Sequence, residues 1–228
     1  MDGEFQRLVD AAAEVQASGR WDAANKRIEA LAANPGHGNE WRVQLLASLC
    51  AEVFSQYLQL KHAFEDTRFE ASVVAYFARN LLELSVWAMY CAAGKGNAER
   101  LYTDAGRDEL GIYEAFEKWG TTMAQPAEFF NIFSGAKLDL AHRAAAEGIT
   151  SLDADYKRVS DAARECNMAE NFALHFKLLS KFAHPTAIRM IDPHDMLTEA
   201  RQREWFFSWG CLFFQGAFDA IENMLQSL

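Results

Sequence analysis

The chain has 228 residues, half of them hydrophobic, with only 13 Gly and 4 Pro. This composition excludes a disordered chain, a collagen-like repeat and a disulfide scaffold, and the length allows one large domain or one domain with an appendage. The 22 Lys and Arg against 32 Asp and Glu give a net charge of -10, which argues against non-specific binding to nucleic acid or anionic membrane. The binding of an anionic ligand therefore requires a local cluster of basic residues on this acidic chain.

The cysteines and the N-terminal segment predict a cytoplasmic protein. Cys50, Cys91, Cys166 and Cys211 lie far apart in apolar stretches and form no CxxC pair, as buried reduced thiols do. The first residues are acidic and lack the basic and apolar regions of a signal peptide. The most apolar run, residues 205–218, is about 14 residues long and thus shorter than the roughly 18 to 20 that span a bilayer. We therefore expect no membrane association.

Apolar residues recur at spacings of three and four along nearly the whole chain. This periodicity predicts an all-α fold, an antiparallel bundle of long helices preceded by an N-terminal helical hairpin. The hairpin is predicted at residues 2–17 and 21–33, within a unit of residues 1–36, and breaks at Ser18-Gly19-Arg20. Asn39 is the expected cap of the first bundle helix.

The bundle is predicted to occupy residues 39–228. Gly120, Pro126, Gly135 and Gly148 interrupt the helical pattern in the middle of the bundle, so we expect a lid or a peripheral excursion at residues 119–152. The regular helices are predicted at residues 39–65, 67–93, 97–118, 153–164, 168–184 and 195–226.

A polar stripe runs along the otherwise apolar second helix of the bundle. Ser72, Tyr76, Arg79, Glu83 and Tyr90 fall within an arc of about 60° at 100° per residue. Arg79 and Glu83 can simply neutralise each other, because an unpaired buried charge costs several kcal/mol. Alternatively they line a cleft in which Arg79 binds an anion and Glu83 orients it.

A second polar face follows in a stretch that contains no Asp or Glu, residues 171–191. Lys177, Ser180, Lys181 and His184 lie within an arc of about 100° on one helix, opposite its apolar side. Two lysines, a hydroxyl and an imidazole near a helix end can bind a phosphate. The alternative is an ordinary solvated face, with Ser180 bonded back to the helix and His184 bonded to terminal carbonyls.

Two strings in these helices resemble a family of uncharacterised bacterial helical proteins. Arg79-Asn80-Leu81-Leu82-Glu83 and the segment from Leu179 through His184-Pro185 to Thr186 are similar to those of a group that is HEPN-like, named for nucleotide binding in higher eukaryotes and prokaryotes. The resemblance covers residues 39–228. It implies a bacterial defence or toxin component, in which a metal-independent RNase pair usually acts across a homodimer.

The resemblance also implies roles for individual residues. His184 would be the general acid and base, and Arg79 or Lys177 would stabilise phosphate charge. The superfamily pair is an Arg and a His four to six residues apart, whereas Lys177 precedes His184 by seven positions and is not an Arg. The one literal Arg-x4-His string, Arg189 to His194, is interrupted by Pro193. A catalytically silent relative is therefore the alternative.

Other site patterns are missing, and we expect neither a metal nor a cofactor. The sequence has no Glu-x-x-His pair, no paired Cys and His at zinc spacing, and no GxGxxG, P-loop or GxSxG string. The segment Asp192-Pro193-His194-Asp195 carries metal-ligating groups, but Asp before Pro is more simply a helix start.

Two functional hypotheses follow. In the first, the two polar faces form a cleft that acts on RNA or a nucleotide phosphate, with His184 accessible and within reach of Arg79. In the second, they form a buried network in a non-catalytic scaffold that binds a protein partner. The aromatic-rich segment 205–218 lies either in the centre of the bundle or against another subunit of a homodimer.

Overall fold

The computed structural model describes residues 3–34, 39–146, 148–149, 152, 157–184 and 198–228. Within these residues the chain forms nine α-helices and no strand, which confirms the prediction of an all-α helical bundle. The helices are α1 (Gly3–Ala17), α2 (Arg20–Ala33), α3 (Glu40–Glu65), α4 (Ala71–Ala92), α5 (Lys95–Thr122), α6 (Ala127–Ala146), α7 (Val159–Glu165), α8 (Ala169–Ala183) and α9 (Glu199–Gln226).

The chain divides into two compact units. Unit 1 comprises Met1–Lys95 together with Arg158–Leu228, and unit 2 comprises Gly96–Lys157. Unit 1 therefore contains both predicted polar faces, on α4 and α8, together with the aromatic-rich helix α9.

Helices α4 and α9 are the central elements of unit 1. Helix α4 packs against α3, α7, α8 and α9, and α9 also packs against α1, α2 and α3. The aromatic-rich segment lies mainly in the core, in agreement with one of the two alternatives predicted for it, although Trp205 is exposed. Its buried aromatic side chains are Phe206, Phe207, Phe213, Phe214 and Phe218.

Close packing at one glycine brings α9 against α3. A Cβ atom added to Gly210 would lie 3.2 Å from Cδ1 and 3.3 Å from Cγ of Leu60, and closer still to Cδ2. Phe214 stacks on Tyr57 of α3 with ring centroids 4.0 Å apart. The two helices therefore approach at a position of α9 where a larger side chain would collide with Leu60.

A buried guanidinium holds the end of α3. Arg203 of α9 is only 8% exposed. Its Nη2 lies 3.0 Å from the carbonyl oxygen of Ala63, 2.6 Å from that of Phe64 and 3.3 Å from that of Asp66, and Nη1 donates to the carbonyl of Phe69. The last carbonyls of a helix have no partner within the helix. Arg203 supplies that partner and places a positive charge at the negative end of α3.

A carboxylate of α9, the helix that carries Arg203, lies at the start of α4. The backbone N–H of Ala71, the first residue of α4, donates to Oε1 of Glu199. The connecting turn also contains an ion pair between Asp66 and Arg68. This turn explains why α4 begins four residues later than the predicted residue 67. Asn39, the predicted cap of α3, makes no side-chain capping bond.

The predicted N-terminal hairpin is present as α1 and α2. Gly19 joins the two helices with φ of 75°, a left-handed conformation that glycine adopts without a Cβ penalty. Arg20 forms ion pairs with Asp219 and Glu222 of α9, and Trp21 stacks on Phe54 of α3. The hairpin is thus bound to the rest of unit 1 by both charged and aromatic contacts.

Unit 2 is more regular than predicted. The interruptions of the helical pattern predicted within residues 119–152 are mostly absent, because α5 continues to Thr122 and α6 runs from Ala127 to Ala146. Gly120 lies inside α5, where the ring of Phe129 takes the place of a side chain: a Cβ atom added to Gly120 would lie 2.8 Å from Cδ1 of that ring. Pro126 precedes α6 and Gly148 follows it. These last two residues are boundaries rather than interruptions.

Aromatic rings and one buried carboxylate hold unit 2 together. Phe133 of α6 stacks on Phe116 of α5, with ring centroids 5.3 Å apart. Asp104 is almost fully buried and is paired with Arg100 and Arg107, and the backbone N–H of Lys157 donates to it at 3.1 Å. A buried carboxylate is tolerated because these three partners satisfy it.

Helix α7 begins at Val159, so the prediction of a helix from residue 153 is wrong at residues 157 and 158, which are described and not helical. Residues 153–156 of that predicted helix lie outside the described residues, as do residues 195–197 before α9. The predicted bounds of α8 and the predicted end of α9 agree with the structure to within one residue. No helix in the described ranges is both long enough and apolar enough to cross a membrane.

The Arg203 junction predicts a large stability effect at one position. Arg203→Met should lower the free energy of unfolding by about 3 kcal/mol, because buried carbonyls lose their donors. Arg201→Met, an exposed arginine on the same turn, should change it by less than about 0.5 kcal/mol. Urea denaturation followed by circular dichroism measures both. Equal midpoints for the two variants would contradict a capping role for Arg203.

The cysteines should differ in reactivity. Burial raises the pKa of the Cys50, Cys91 and Cys211 thiols to about 12, so at pH 8 only about one in ten thousand of each is a thiolate. Cys166 is only half-buried. Iodoacetamide at pH 8 should therefore modify Cys166 first, and the other three only after unfolding in urea. Mass spectrometry of the native protein counts the added groups, and rapid modification at three or four positions would refute this order.

Candidate functional site

The two predicted polar faces meet where α4 packs against α8. Arg79 comes from the middle of α4, and His184 is the residue that ends α8, with extended backbone angles of φ -112° and ψ 154°. The expectation that a residue before proline leaves the helix is met at His184. Its side chain is exposed, so the helix end presents an imidazole to solvent beside the guanidinium of α4.

A hydrogen bond joins these two side chains. Nη1 of Arg79 donates to Nε2 of His184 at 2.5 Å. Because a guanidinium has donors and no acceptor, Nε2 must carry the lone pair, and the proton of this imidazole is on Nδ1. The contact therefore belongs to neutral His184. A doubly protonated ring would have no acceptor and would face a like charge.

Two further groups hold the guanidinium of Arg79. Nε lies 3.1 Å from Oε1 of Glu83, one helical turn away, and Cζ lies 4.6 Å from the ring centroid of Phe176 on α8. The Glu83 contact is an ion pair without hydrogen-bond alignment, since buried Nε has no hydrogen-bond partner among the described residues. The Arg79 side chain keeps 22% exposure. It is thus anchored on an aromatic face while part of its edge still reaches solvent.

The other predicted site residues differ in their exposure to solvent. Lys177 and Lys181 are exposed on α8, and Tyr76 is exposed on α4. Ser72 donates to Glu70. Tyr90 is buried, so it does not belong to the solvent-facing part of the stripe.

Ser180 bears on the two alternatives for the polar face of α8. Its Oγ is buried and has no hydrogen-bond partner among the described residues, so the predicted bond back to the carbonyl of Phe176 is not formed. A buried hydroxyl without a partner costs free energy that a folded protein usually avoids. This hydroxyl lies on the same helix as His184, one turn before it, and leaves an unused donor and acceptor next to the candidate site.

His175, on the apolar side of α8, packs against aromatic rings of α9. Its ring contacts those of Trp209 and Phe213 on α9, with centroids 5.0 and 5.4 Å away, and Nδ1 lies 2.8 Å from the carbonyl oxygen of Asn171. It is therefore separate from the candidate site.

Sequence reasoning missed the part that Phe176 plays. An aromatic residue at this spacing in the helix is typical of the core, but its ring supports the guanidinium of Arg79. Nothing in the local pattern reveals this contact, because it depends on the register between α8 and α4. The sequence-predicted segments that include Pro185, Thr186, Arg189 to His194 and Asp195 lie outside the described residues.

Within the described ranges, no three His, Cys, Asp or Glu side chains converge as a metal site would require. The described site contains one imidazole, one guanidinium and the carboxylate of Glu83, and two exposed lysines lie on the helix that ends at the imidazole. Such a set can bind a phosphate and move a proton.

Comparison with protein-family models, with curated proteins and with solved structures yields no match to this chain.

Proposed function

We propose that this chain is a cytoplasmic, HEPN-like protein that acts on RNA or a nucleotide phosphate, as a component of a defence or toxin system. One observation carries the proposal: the exposed imidazole of His184 lies 2.5 Å from a guanidinium nitrogen of Arg79, although 105 positions separate them in sequence. The resemblance of the sequence strings around both residues supports the same assignment.

The geometry suggests how a phosphate would enter. A phosphate oxygen can replace Nε2 as the acceptor for Nη1 of Arg79, because a charged acceptor makes the stronger hydrogen bond. His184 is then released and its Nε2 lone pair becomes available. Glu83 and Phe176 keep the guanidinium in place during this exchange, since neither contact uses Nη1.

With RNA as the substrate, His184 acts as the general base. Nε2 takes the proton of a ribose 2′-hydroxyl, the 2′-oxygen attacks the adjacent phosphorus, and the bond from phosphorus to the 5′-oxygen breaks. The products are a 2′,3′-cyclic phosphate and a 5′-hydroxyl end, whose proton comes from solvent. Arg79 stabilises the charge that develops on the phosphate oxygens, and Lys177 and Lys181 add positive charge along α8.

RNA cleavage tests the proposal directly. A fluorescently labelled single-stranded RNA is incubated with the purified protein in EDTA, and the products are separated on a gel. His184→Ala should lower the cleavage rate by about 10²-fold or more, which is the usual contribution of a general base. Arg79→Ala should lower it comparably, and Arg79→Lys should recover only part of the loss because lysine lacks the forked donor.

The matched control is His142→Ala, an exposed histidine on α6 in unit 2, which should leave the rate unchanged. Thermal unfolding of each variant separates the two hypotheses. Partly exposed ion pairs contribute about 1 kcal/mol or less, so melting temperatures should shift little while cleavage is lost. A lower melting temperature together with no cleavage by the unsubstituted protein would favour the scaffold instead.

The prediction that this chain binds a partner, common to the scaffold hypothesis and to a homodimeric RNase, also has a structural observation in its favour. Ile112, Phe116 and Trp119 form a row on α5 in unit 2, continued by Met123 in the turn directly after this helix, and each is between 48% and 56% exposed. Their spacing of four, three and four residues is the a and d spacing of a coiled-coil seam. We infer that the partner is a second copy of this chain, because such a seam can pair with itself around a two-fold axis.

Measuring the mass in solution tests this row. Size-exclusion chromatography with light scattering should give about twice the 25.7 kDa of one chain. Ile112→Glu should yield the monomer, because a charge in the seam opposes its burial, whereas Ile112→Leu should retain the dimer. A monomer at every concentration, or a dimer that Ile112→Glu leaves intact, would reject the row as the interface.

A further inference from the structure

Tyr76 is the one large hydrophobic side chain of α4, a helix described over its whole length, that is well exposed. Its exposure is 45%, whereas half of the residues of this helix are buried. The ring of Phe77 contacts the ring of Tyr76 in a T-shaped arrangement, with centroids 5.3 Å apart. This contact leaves nearly half of the Tyr76 side chain exposed to solvent. Neither the core nor an ion pair explains an exposed aromatic ring at this position.

The position of Tyr76 relative to Arg79 is fixed by the helix. Residues three apart lie on the same face, with Cβ atoms about 5 to 6 Å from each other. The ring is therefore about one helical turn along α4 from the guanidinium that contacts His184. Because both come from the same rigid helix, their separation does not depend on how any loop is arranged.

We propose that Tyr76 stacks on an unpaired nucleobase whose phosphate is bound at Arg79, so that the site selects single-stranded RNA. This inference rests on the proposed function and names its substrate class. A base presents a flat apolar face to an aromatic ring, and such stacking is tolerant of sequence. A base inside a duplex already stacks on its neighbours and is not available to the ring.

The basic residues on α8 favour an RNA strand over a single small anion as the ligand. Lys177 and Lys181 are exposed on α8, two turns and one turn before His184. Successive basic side chains can contact successive phosphates of an extended backbone. The overall charge of -10 opposes non-specific binding, whereas these two lysines attract a backbone phosphate locally and the ring adds affinity that does not depend on salt.

A binding experiment isolates the ring. The probe is a fluorescein-labelled ten-residue oligoadenylate with 2′-O-methyl groups, which lacks the attacking hydroxyl and so is not cleaved. Its fluorescence anisotropy is titrated with the unsubstituted protein, Tyr76→Phe and Tyr76→Ala. Tyr76→Ala should weaken binding about 10-fold, the effect expected for loss of one stacked base, and Tyr76→Phe should bind as the parent does. A duplex of the same sequence should bind more weakly than the single strand.

Two controls assign the loss to stacking. An oligomer without bases should bind the parent and Tyr76→Ala equally, because it offers nothing to stack. Leu174→Ala removes another exposed apolar side chain of unit 1, from α8, and should leave the affinity unchanged.

The outcomes separate this inference from the proposed function. Oligoadenylate binding that needs Arg79 but tolerates Tyr76→Ala would overturn stacking and leave the phosphate site intact. An equal loss of affinity for the base-free oligomer would also overturn it, since the ring would then act on the backbone. Absence of binding to every oligonucleotide would overturn both proposals and would direct attention to Tyr76 as part of a protein interface.

Discussion

Two opposite charges on the first turns of α9 hold the junction between α3 and α4. Arg203 supplies donors to the last carbonyls of α3, and Glu199 accepts from the first N–H of α4. A helix end that is buried away from water needs partners for these groups from within the protein. The direction in which the chain leaves α3 and enters α4 therefore depends on a helix that lies more than 120 residues later in sequence, and Gly210 sets how closely that helix approaches.

The position of the candidate site follows from this junction. Helix α4 packs against α3, α7, α8 and α9, and Arg79 of its polar stripe keeps part of its side chain exposed where Phe176 of α8 packs on it. The end of α8 then brings His184 to Arg79, and Phe176 from the same helix supports the guanidinium. Each group of the site comes from a helix with its own packing partners, which keeps the guanidinium and the imidazole in place without a ligand.

Local periodicity was sufficient to predict the helices of unit 1 and the two polar faces, because the spacing of apolar and polar residues in an amphipathic helix can be recognised within one short stretch of sequence. It could not predict that Arg79 and His184 touch, since that depends on the register of two helices that are far apart in sequence. The same reason hid the capping by Arg203 and Glu199. In unit 2 the glycines suggested breaks, but Gly120 is required inside α5 by the ring of Phe129. A glycine that leaves room for a neighbour is indistinguishable in sequence from one that ends a helix.

The hydrogen bond between Arg79 and His184 also sets the competition that an anion would meet at this guanidinium. An acceptor that takes the same N–H of Nη1 competes with an imidazole that is tethered at the end of α8 and is therefore at high local concentration. Water and neutral carbonyl groups offer this N–H no stronger bond than the imidazole does, whereas a negatively charged acceptor does. In the proposed phosphate site, an anion that takes this proton would also free the lone pair of Nε2.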